Sequence, residues 1–254
     1  MTNGTKIALI TGGSRGLGRN MAIHLARHGV DSVLTYNSNK ASAEETIAEI
    51  EALGQRAVAI GLDTTDTSAF PGFYSDLRAV LNETWQRDGF DILVNNAGTG
   101  VHKSFADTTE DEFDHLMNIH VKGVFFLTQG FLPMLPDGSR ILNISTGLAR
   151  FTIPGYAAYA TMKGAVETLT RYLAKELGPR RIAVNTLAPG AIETDFGGGA
   201  VRDVPEHNKM IAGMTAMGRA GMPDDIGGTV AAILTGETGW MTGQRIEVSG
   251  GQSL

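Results

Sequence analysis

A short apolar run that breaks into glycines and passes at once into a helical pattern is what most narrows the folds open to this chain. Lys6 to Thr11 (KIALIT) reads as a strand buried on both faces of a parallel sheet. Gly12-Gly13-Ser14-Arg15-Gly16-Leu17-Gly18 follows, and then helical spacing to about His28, where Gly29 stops it. Further strand-like runs lie at Ser32 to Tyr36, Ala57 to Leu62, Phe90 to Val94, Arg140 to Ile144, Ile182 to Leu187 and Arg245 to Val248. Helical segments separate them. The helix from Thr67 to about Arg87 contains Pro71-Gly72 and should begin late or break there. Thr108 or Thr109 with Glu112 has the pattern of a helix cap, leading into a long helix through Phe113, Leu116, Val121, Val124 and Leu127. Tyr156 to Leu177 and Pro223 to Leu234 are the other clear helices. The alternation predicts an α/β fold, a doubly wound sheet of seven parallel strands flanked by helices on both faces, in a single domain over residues 1–254. The stretch 195–215, with Gly197-Gly198-Gly199, suits a mobile lid better than framework.

Composition removes several classes of function. The 254 residues carry 21 Lys and Arg against 27 Asp and Glu, a formal charge of -6, which argues against non-specific binding to nucleic acid or anionic membrane. There is no cysteine, so thiolate nucleophiles, disulfides and Cys-ligated metals are excluded, and no metal site is expected. The opening MTNGTKIALITGG has too short an apolar run for a signal peptide, and no apolar run is long enough to cross a bilayer. A cytoplasmic protein is the expectation.

The glycine turn between strand and helix is the context in which a dinucleotide phosphate binds, because glycines let the backbone approach an anion at free helix N–H groups. Its spacing is Gly12-x3-Gly16-x-Gly18. The second strand ends at Tyr36-Asn37-Ser38-Asn39-Lys40, without the acid that would pair with ribose hydroxyls. With Arg15 in the turn, NADP(H) is preferred over NAD(H), and Asn37, Ser38 and Arg15 are candidate 2′-phosphate ligands. Asp63 closes the third strand, where it can meet an adenine amino group or cap the helix that follows. Asn95-Asn96-Ala97-Gly98 after the fourth strand can serve turn and coenzyme together. Trp85 and Phe73 read as core.

Tyr159 and Lys163 stand four apart on a helix and so share one face. A phenol ionises near pH 10, and bringing that to neutrality takes about 4 kcal/mol of preference for the phenolate. A nearby ammonium and an oxidised nicotinamide could supply it. The plainer reading, a buried Tyr and a solvated Lys on the same helix, is open on spacing alone.

Thr11 to Gly18, Asp63, Asn95 to Gly98, Tyr159-x-x-x-Lys163, and Pro189-Gly190 with Thr194 together resemble the short-chain dehydrogenase/reductase family, over nearly the whole chain and down to the TGQRIEVSGG ending. The resemblance implies a Rossmann-like fold, NAD(P) binding and carbonyl/alcohol interconversion on a small-molecule substrate. It implies that Tyr159 is the acid/base and that Lys163 holds the nicotinamide ribose. It places Gly12, Ser14, Arg15, Gly16, Leu17, Gly18, Asp63, Thr64, Asn95, Ala97, Gly98, Pro189, Gly190, Ile192 and Thr194 against the coenzyme, Asn95 and Gly98 on the adenosine side. It also suggests a homotetramer packed through the long helices and the C-terminal strand. Two positions depart from the family's pattern. Thr146 stands where the family has a Ser, with Ser145 facing the other way, and His120 stands where the family has a catalytic Asn. Imidazole titrates near neutrality, so His120 should make proton relay pH-dependent. The resulting expectation is an NADP-dependent reductase of ketones or aldehydes. An NAD-dependent alcohol dehydrogenase and a non-catalytic dinucleotide sensor are the alternatives. Around Gly147 to Tyr156, Phe196 and the segment 210–217, an apolar substrate pocket is expected.

Overall fold

A computed structural model describes residues 4–254. Its strands are β1 (Lys6–Ile10), β2 (Val30–Tyr36), β3 (Ala57–Gly61), β4 (Ile92–Asn95), β5 (Arg140–Ile144), β6 (Ala183–Pro189) and β7 (Arg245–Val248). They form one seven-stranded sheet in the order β3-β2-β1-β4-β5-β6-β7, and every pairing is parallel. The sheet and its strands match the expectation, with ends shifted by a residue or two except in β5 and β7, which coincide.

Helices cover both faces. They are α1 (Gly16–Arg27), α2 (Lys40–Ala52), α3 (Phe70–Trp85), α4 (Glu110–Met117), α5 (Gly123–Phe131), α6 (Ala157–Leu177), α7 (Ala200–Asp203), α8 (Pro205–Met214) and α9 (Pro223–Thr235). Alternate residues of each central strand serve opposite layers, as the two-residue strand period requires. Ile7 and Leu9 pack with Phe73, Leu77, Trp85, Leu127 and Phe131 on one side. Ala8 and Ile10 pack with Met21, Leu25, Ile50, Ile226 and Val230 on the other. Trp85, core as expected, gives its indole N–H to the buried Asp31 carboxylate at 2.7 Å.

Three segments refine the sequence reading. Pro71 does not break its helix, because α3 begins at Phe70 and a proline costs nothing in a first turn. Thr109 and Glu112 form a reciprocal capping box at the head of α4. The long helix expected to follow is interrupted by a π-helical turn, Asn118–Lys122. Tertiary packing accounts for its neighbourhood: a Cβ on Gly123 would lie 2.4 Å from the Thr64 carbonyl oxygen, so only glycine lets the helix sit against the loop after β3. The stretch 195–215, expected to be lid rather than framework, holds a short 3-10 turn, α7 and α8, with Ile211 buried. No helix among the described residues is long and apolar enough to cross a membrane.

Candidate active site

Open parallel sheets bind ligands where the strand order reverses, here between β1 and β4. A cleft of about 1450 Å³ opens there, room for a dinucleotide and a second molecule. Gly12 and Gly16 hold positive φ, +65° and +55°, which suits glycine alone at low cost. A Cβ on Gly18 would lie 2.1 Å from the Gly12 carbonyl oxygen, so α1 packs directly on the turn. Arg15 precedes α1 without a side-chain cap, and the first turn carries no carboxylate. The free N–H groups and the positive end of the helix dipole are therefore left for an anion.

Asn96 fastens this turn to β4. Its side-chain amide donates to the carbonyls of Thr11 and Gly12 at 2.9 and 3.1 Å, while the Thr11 hydroxyl accepts from the backbone of Asn96 and Ala97. Asn95 departs from the sequence reading. Its side chain turns under the sheet and donates to Thr128 and Asn143 at 3.0 and 2.8 Å, away from the residues that line the cleft. β4 ends at Asn95, so it is the next residue that reaches the turn.

Beyond β2, Asn37 and Ser38 line the cleft and are exposed. Asn39 is taken up as the cap of α2, and Glu44 pairs with Lys40 at 3.4 Å. No carboxylate faces the site from this strand end, and Arg15, exposed beside it, has no hydrogen-bonded or ionic side-chain partner among the described residues. Asp63 and Thr64 line the same end. One Asp63 oxygen accepts from the Thr65 backbone and hydroxyl at 2.8 and 2.7 Å, a local turn that leaves the second oxygen for a ligand, while Asp66 rather than Asp63 or Thr65 caps the 3-10 turn that follows.

At the other end α6 delivers Tyr159 and Lys163 on one face, both buried. Lys163 Nζ donates to the Ile144 carbonyl at 2.8 Å and lies 5.7 Å from the centre of the Tyr159 ring. Burial pulls the Lys163 ammonium down to about 7. The expected acidification of Tyr159 is not produced by these side chains. Burial pushes the phenol upward, and the neighbouring Thr146 hydroxyl opposes that only in part. Desolvation wins over a lysine that is itself close to losing its charge. Ser145 faces away from the phenol and donates to Glu167 at 2.7 Å, as strand alternation requires.

His120 is brought to the same place. It sits in the π-helical turn, buried, with its ring edge-on to Tyr159 at 5.3 Å. Nε2 lies 2.7 Å from the Thr99 carbonyl, which can only accept, so Nε2 carries the proton. Nδ1 is then an acceptor, and it is a buried atom with no partner among the described residues. The expectation of a neutral-pH titration fails: burial, then the charge of Lys163, push His120 down to about 2. It is a neutral imidazole throughout the working range.

Pro189, Gly190, Ile192 and Thr194 border the cleft after β6, and Gln252 steadies them by accepting from the Ala191 N–H at 2.9 Å. The wall facing Tyr159 is apolar and aromatic. Phe151, Ile153, Tyr156, Phe196, Val204 and Met210 all line it. Phe196 leans on Tyr159 at 5.8 Å, and His102 on Tyr156 at 4.8 Å. The expected pocket is therefore present, except that of the segment 210–217 only Met210 and Ile211 line it, with Met214 and Met217 outside. Gln252 and Glu167 carry no motif that singles them out in the sequence, although Glu167 continues the four-residue spacing of Tyr159 and Lys163. Asn96 lies inside the Asn95–Gly98 motif, but its part in holding the glycine turn is not legible from it.

Comparison with known proteins agrees with this geometry. A family model described as Enoyl-(Acyl carrier protein) reductase matches residues 12–253. The hydroxynaphthalene reductase-like protein Arp2 of Metarhizium brunneum is 36% identical, covering 97% of this chain and 94% of its own length. Among solved structures, the promiscuous reductase LugOII, which catalyses keto-reduction at C1 during lugdunomycin biosynthesis, is 41% identical with a TM-score of 0.93, covering 98% of both chains. The angucycline C-6 ketoreductase LanV with bound NADP is 33% identical, also at a TM-score of 0.93, covering 98% of this chain and 95% of its own. With its glycine turn, its Tyr159–Lys163 pair and its sheet order, the chain belongs to the short-chain dehydrogenase/reductase family.

Proposed function

We propose that this protein is an NADPH-dependent ketoreductase acting on fused-ring aromatic ketones. The observation that carries the reading is the meeting of Tyr159, Thr146 and Lys163 at one end of a cleft whose other end is a carboxylate-free glycine turn. The coenzyme's chemistry is hydride delivery to the carbonyl carbon and, once oxidised, a positive charge beside the phenol. Gly12, Ser14, Arg15, Gly16, Leu17 and Gly18 would hold its diphosphate, with Arg15, Asn37 and Ser38 at the 2′-phosphate. Asp63, Thr64, Ala97 and Gly98, which line the cleft, would meet the adenosine side, and Pro189, Gly190, Ile192 and Thr194 the carboxamide side. The fit is supported by the Gly18 contact, which leaves no room for a side chain, and by Arg15, whose side chain has no partner among the described residues.

Thr146 orients the carbonyl oxygen and Tyr159 protonates it. Burial suits the phenol to this direction, since it keeps the proton in place until the oxygen becomes basic. Lys163 returns a proton to Tyr159 and holds the ribose hydroxyls. His120 Nδ1, which can only accept, would anchor a water supplying Lys163. The aromatic wall of Phe151, Tyr156 and Phe196 and the substrates named for the related reductases support a fused-ring substrate, with 195–215 as the covering lid. NADPH consumption across a panel of tetralones, fused-ring quinones and small aliphatic ketones tests this. Turnover with fused-ring ketones in front is expected. Tight NADPH binding without turnover would leave a coenzyme sensor instead.

The pH dependence follows from Lys163. Its ammonium is present below about 7 and is lost as pH rises through that value, so kcat/KM for reduction should fall on the alkaline side. Because His120 does not titrate there, His120→Asn should change the height of the pH–rate curve but not its inflection. A shifted inflection would show that imidazole ionisation takes part. A homotetramer is also expected. Phe113, Phe125, Phe126 and Tyr172 are exposed on α4, α5 and α6, and Trp240 before β7 is 99% exposed. Light scattering should return the mass of four chains, and a monomer would refute it.

A further inference from the structure

β7 is an edge strand whose alternate residues face opposite ways. Ile246 and Val248 pack into the core with α9, and Arg245 and Glu247 point to the side of the catalytic helix. Arg245 is used there completely. Its Nε lies 2.8 Å from Glu167 Oε1, one terminal nitrogen lies 2.7 Å from Glu247, and the other donates to the backbone carbonyl of Thr146 at 3.2 Å. The Glu167 oxygen it holds is the one that accepts from Ser145. Glu167 is two helical turns beyond Tyr159 on the same face as Lys163, so a single guanidinium ties the helix that carries the acid to the strand end that carries Thr146.

The chain of charges continues. Glu247 accepts from two nitrogens of Arg150, Nε and Nη2, each at 2.7 Å, and Arg150 donates onward to the carbonyls of Gln252 and Ser253 at 2.8 and 3.2 Å. Gln252 in turn holds the Ala191 N–H. Isolated surface ion pairs contribute little, but Arg245, Glu167 and Glu247 are largely shielded, and their contacts are forked and shared, with the exposed Arg150 at the outer end, the case in which geometry is fixed rather than merely decorated. A lysine has a single point of charge and cannot bridge three acceptors in a plane.

We propose that Arg245 is a positioning residue for carbonyl reduction, acting through Thr146 and Glu167 to set the distance between the Thr146 hydroxyl and the Tyr159 phenol. It touches neither substrate nor coenzyme. The inference rests on the ketoreductase reading, and its test separates the two. Arg245→Met keeps the apolar stem and removes the fork; Arg245→Lys keeps the charge. For Arg245→Met, kcat should fall by about tenfold to a hundredfold, the cost of a small misplacement of reacting groups. NADPH affinity and the thermal midpoint should stay near wild type, and the deuterium isotope effect on kcat with 4-deuterated NADPH should rise as hydride transfer becomes limiting. Arg245→Lys should recover only part of the loss. Hydrogen exchange gives a readout that needs no turnover: amides of 144–151 should exchange faster in Arg245→Met than in wild type. Unchanged kcat overturns the proposal, as does a joint fall of kcat, NADPH affinity and midpoint, which would mean a folding role. If the wild type reduces no ketone, the functional reading fails by itself, and unchanged exchange at 144–151 would then overturn the clamp separately.

Discussion

Replacing Tyr159 by phenylalanine is expected to lower kcat/KM for ketone reduction by about 10²–10⁴-fold, the usual contribution of a positioned proton donor. The substitution removes one oxygen from a ring that is held by its faces and edges. His120 meets it edge-on, Phe196 leans against it and Lys163 lies over it, so the ring should stay in place and the fold with it. NADPH binding, which depends on the far end of the cleft, should be nearly unchanged. The direction of burial adds a second part to the expectation. A phenol pushed upward keeps its proton, which favours giving it to a carbonyl oxygen and disfavours taking one from an alcohol. Alcohol oxidation by the wild type should therefore emerge only at alkaline pH. Initial rates in both directions check this, and a Tyr159→Phe enzyme that reduces ketones at the parental rate would mean that another group is the acid.

The second large effect concerns coenzyme choice. Asn37→Asp should raise the KM for NADPH roughly tenfold or more while improving use of NADH, so that the ratio of kcat/KM values moves toward NADH. A carboxylate about 4 Å from a phosphate is worth about 4 kcal/mol of repulsion at an effective dielectric of 20, and less at an exposed position such as this. The new acid could instead accept from the ribose hydroxyls, the contact that selects NAD in this fold. The prediction depends on no other carboxylate at the end of β2 facing the site; Glu44 is already paired with Lys40, and Asp63, at the end of β3, is placed toward the adenosine side instead. Steady-state kinetics with both coenzymes measures the ratio. If it does not move, the 2′-phosphate is not read by Asn37, Ser38 and Arg15.

Much of this molecule is legible in its residues alone. Strands buried on both faces announce themselves as apolar runs, so β5 and β7 coincide with their expected ends, and the glycine turn and the four-residue spacing of Tyr159 and Lys163 need only local geometry. The misses share a cause: each depends on which way a residue faces or how deeply it lies. A doubly buried strand has no polar alternation, so sequence could not tell that Asn95 turns under the sheet and Asn96 serves the glycine turn. The π-helical turn ends where Gly123 packs on the Thr64 carbonyl, a contact between segments far apart in the chain. His120 is buried in that turn, and burial decides its charge. An imidazole in isolation is a neutral-pH switch, yet here desolvation silences it. For Tyr159 the attraction of Lys163 can be guessed from spacing, but the loss of water that opposes it cannot.

The groups proposed to move protons, Tyr159 and Lys163, stand on α6 with Thr146 just past β5, whereas the apolar lining comes from the loop carrying Phe151 and Tyr156 and from the stretch carrying Phe196, Val204 and Met210. On that reading chemistry and selectivity are carried on separate pieces of chain. Libraries confined to those wall positions should redirect the enzyme toward ketones of other sizes, or invert the face presented to hydride, without disturbing the reaction itself.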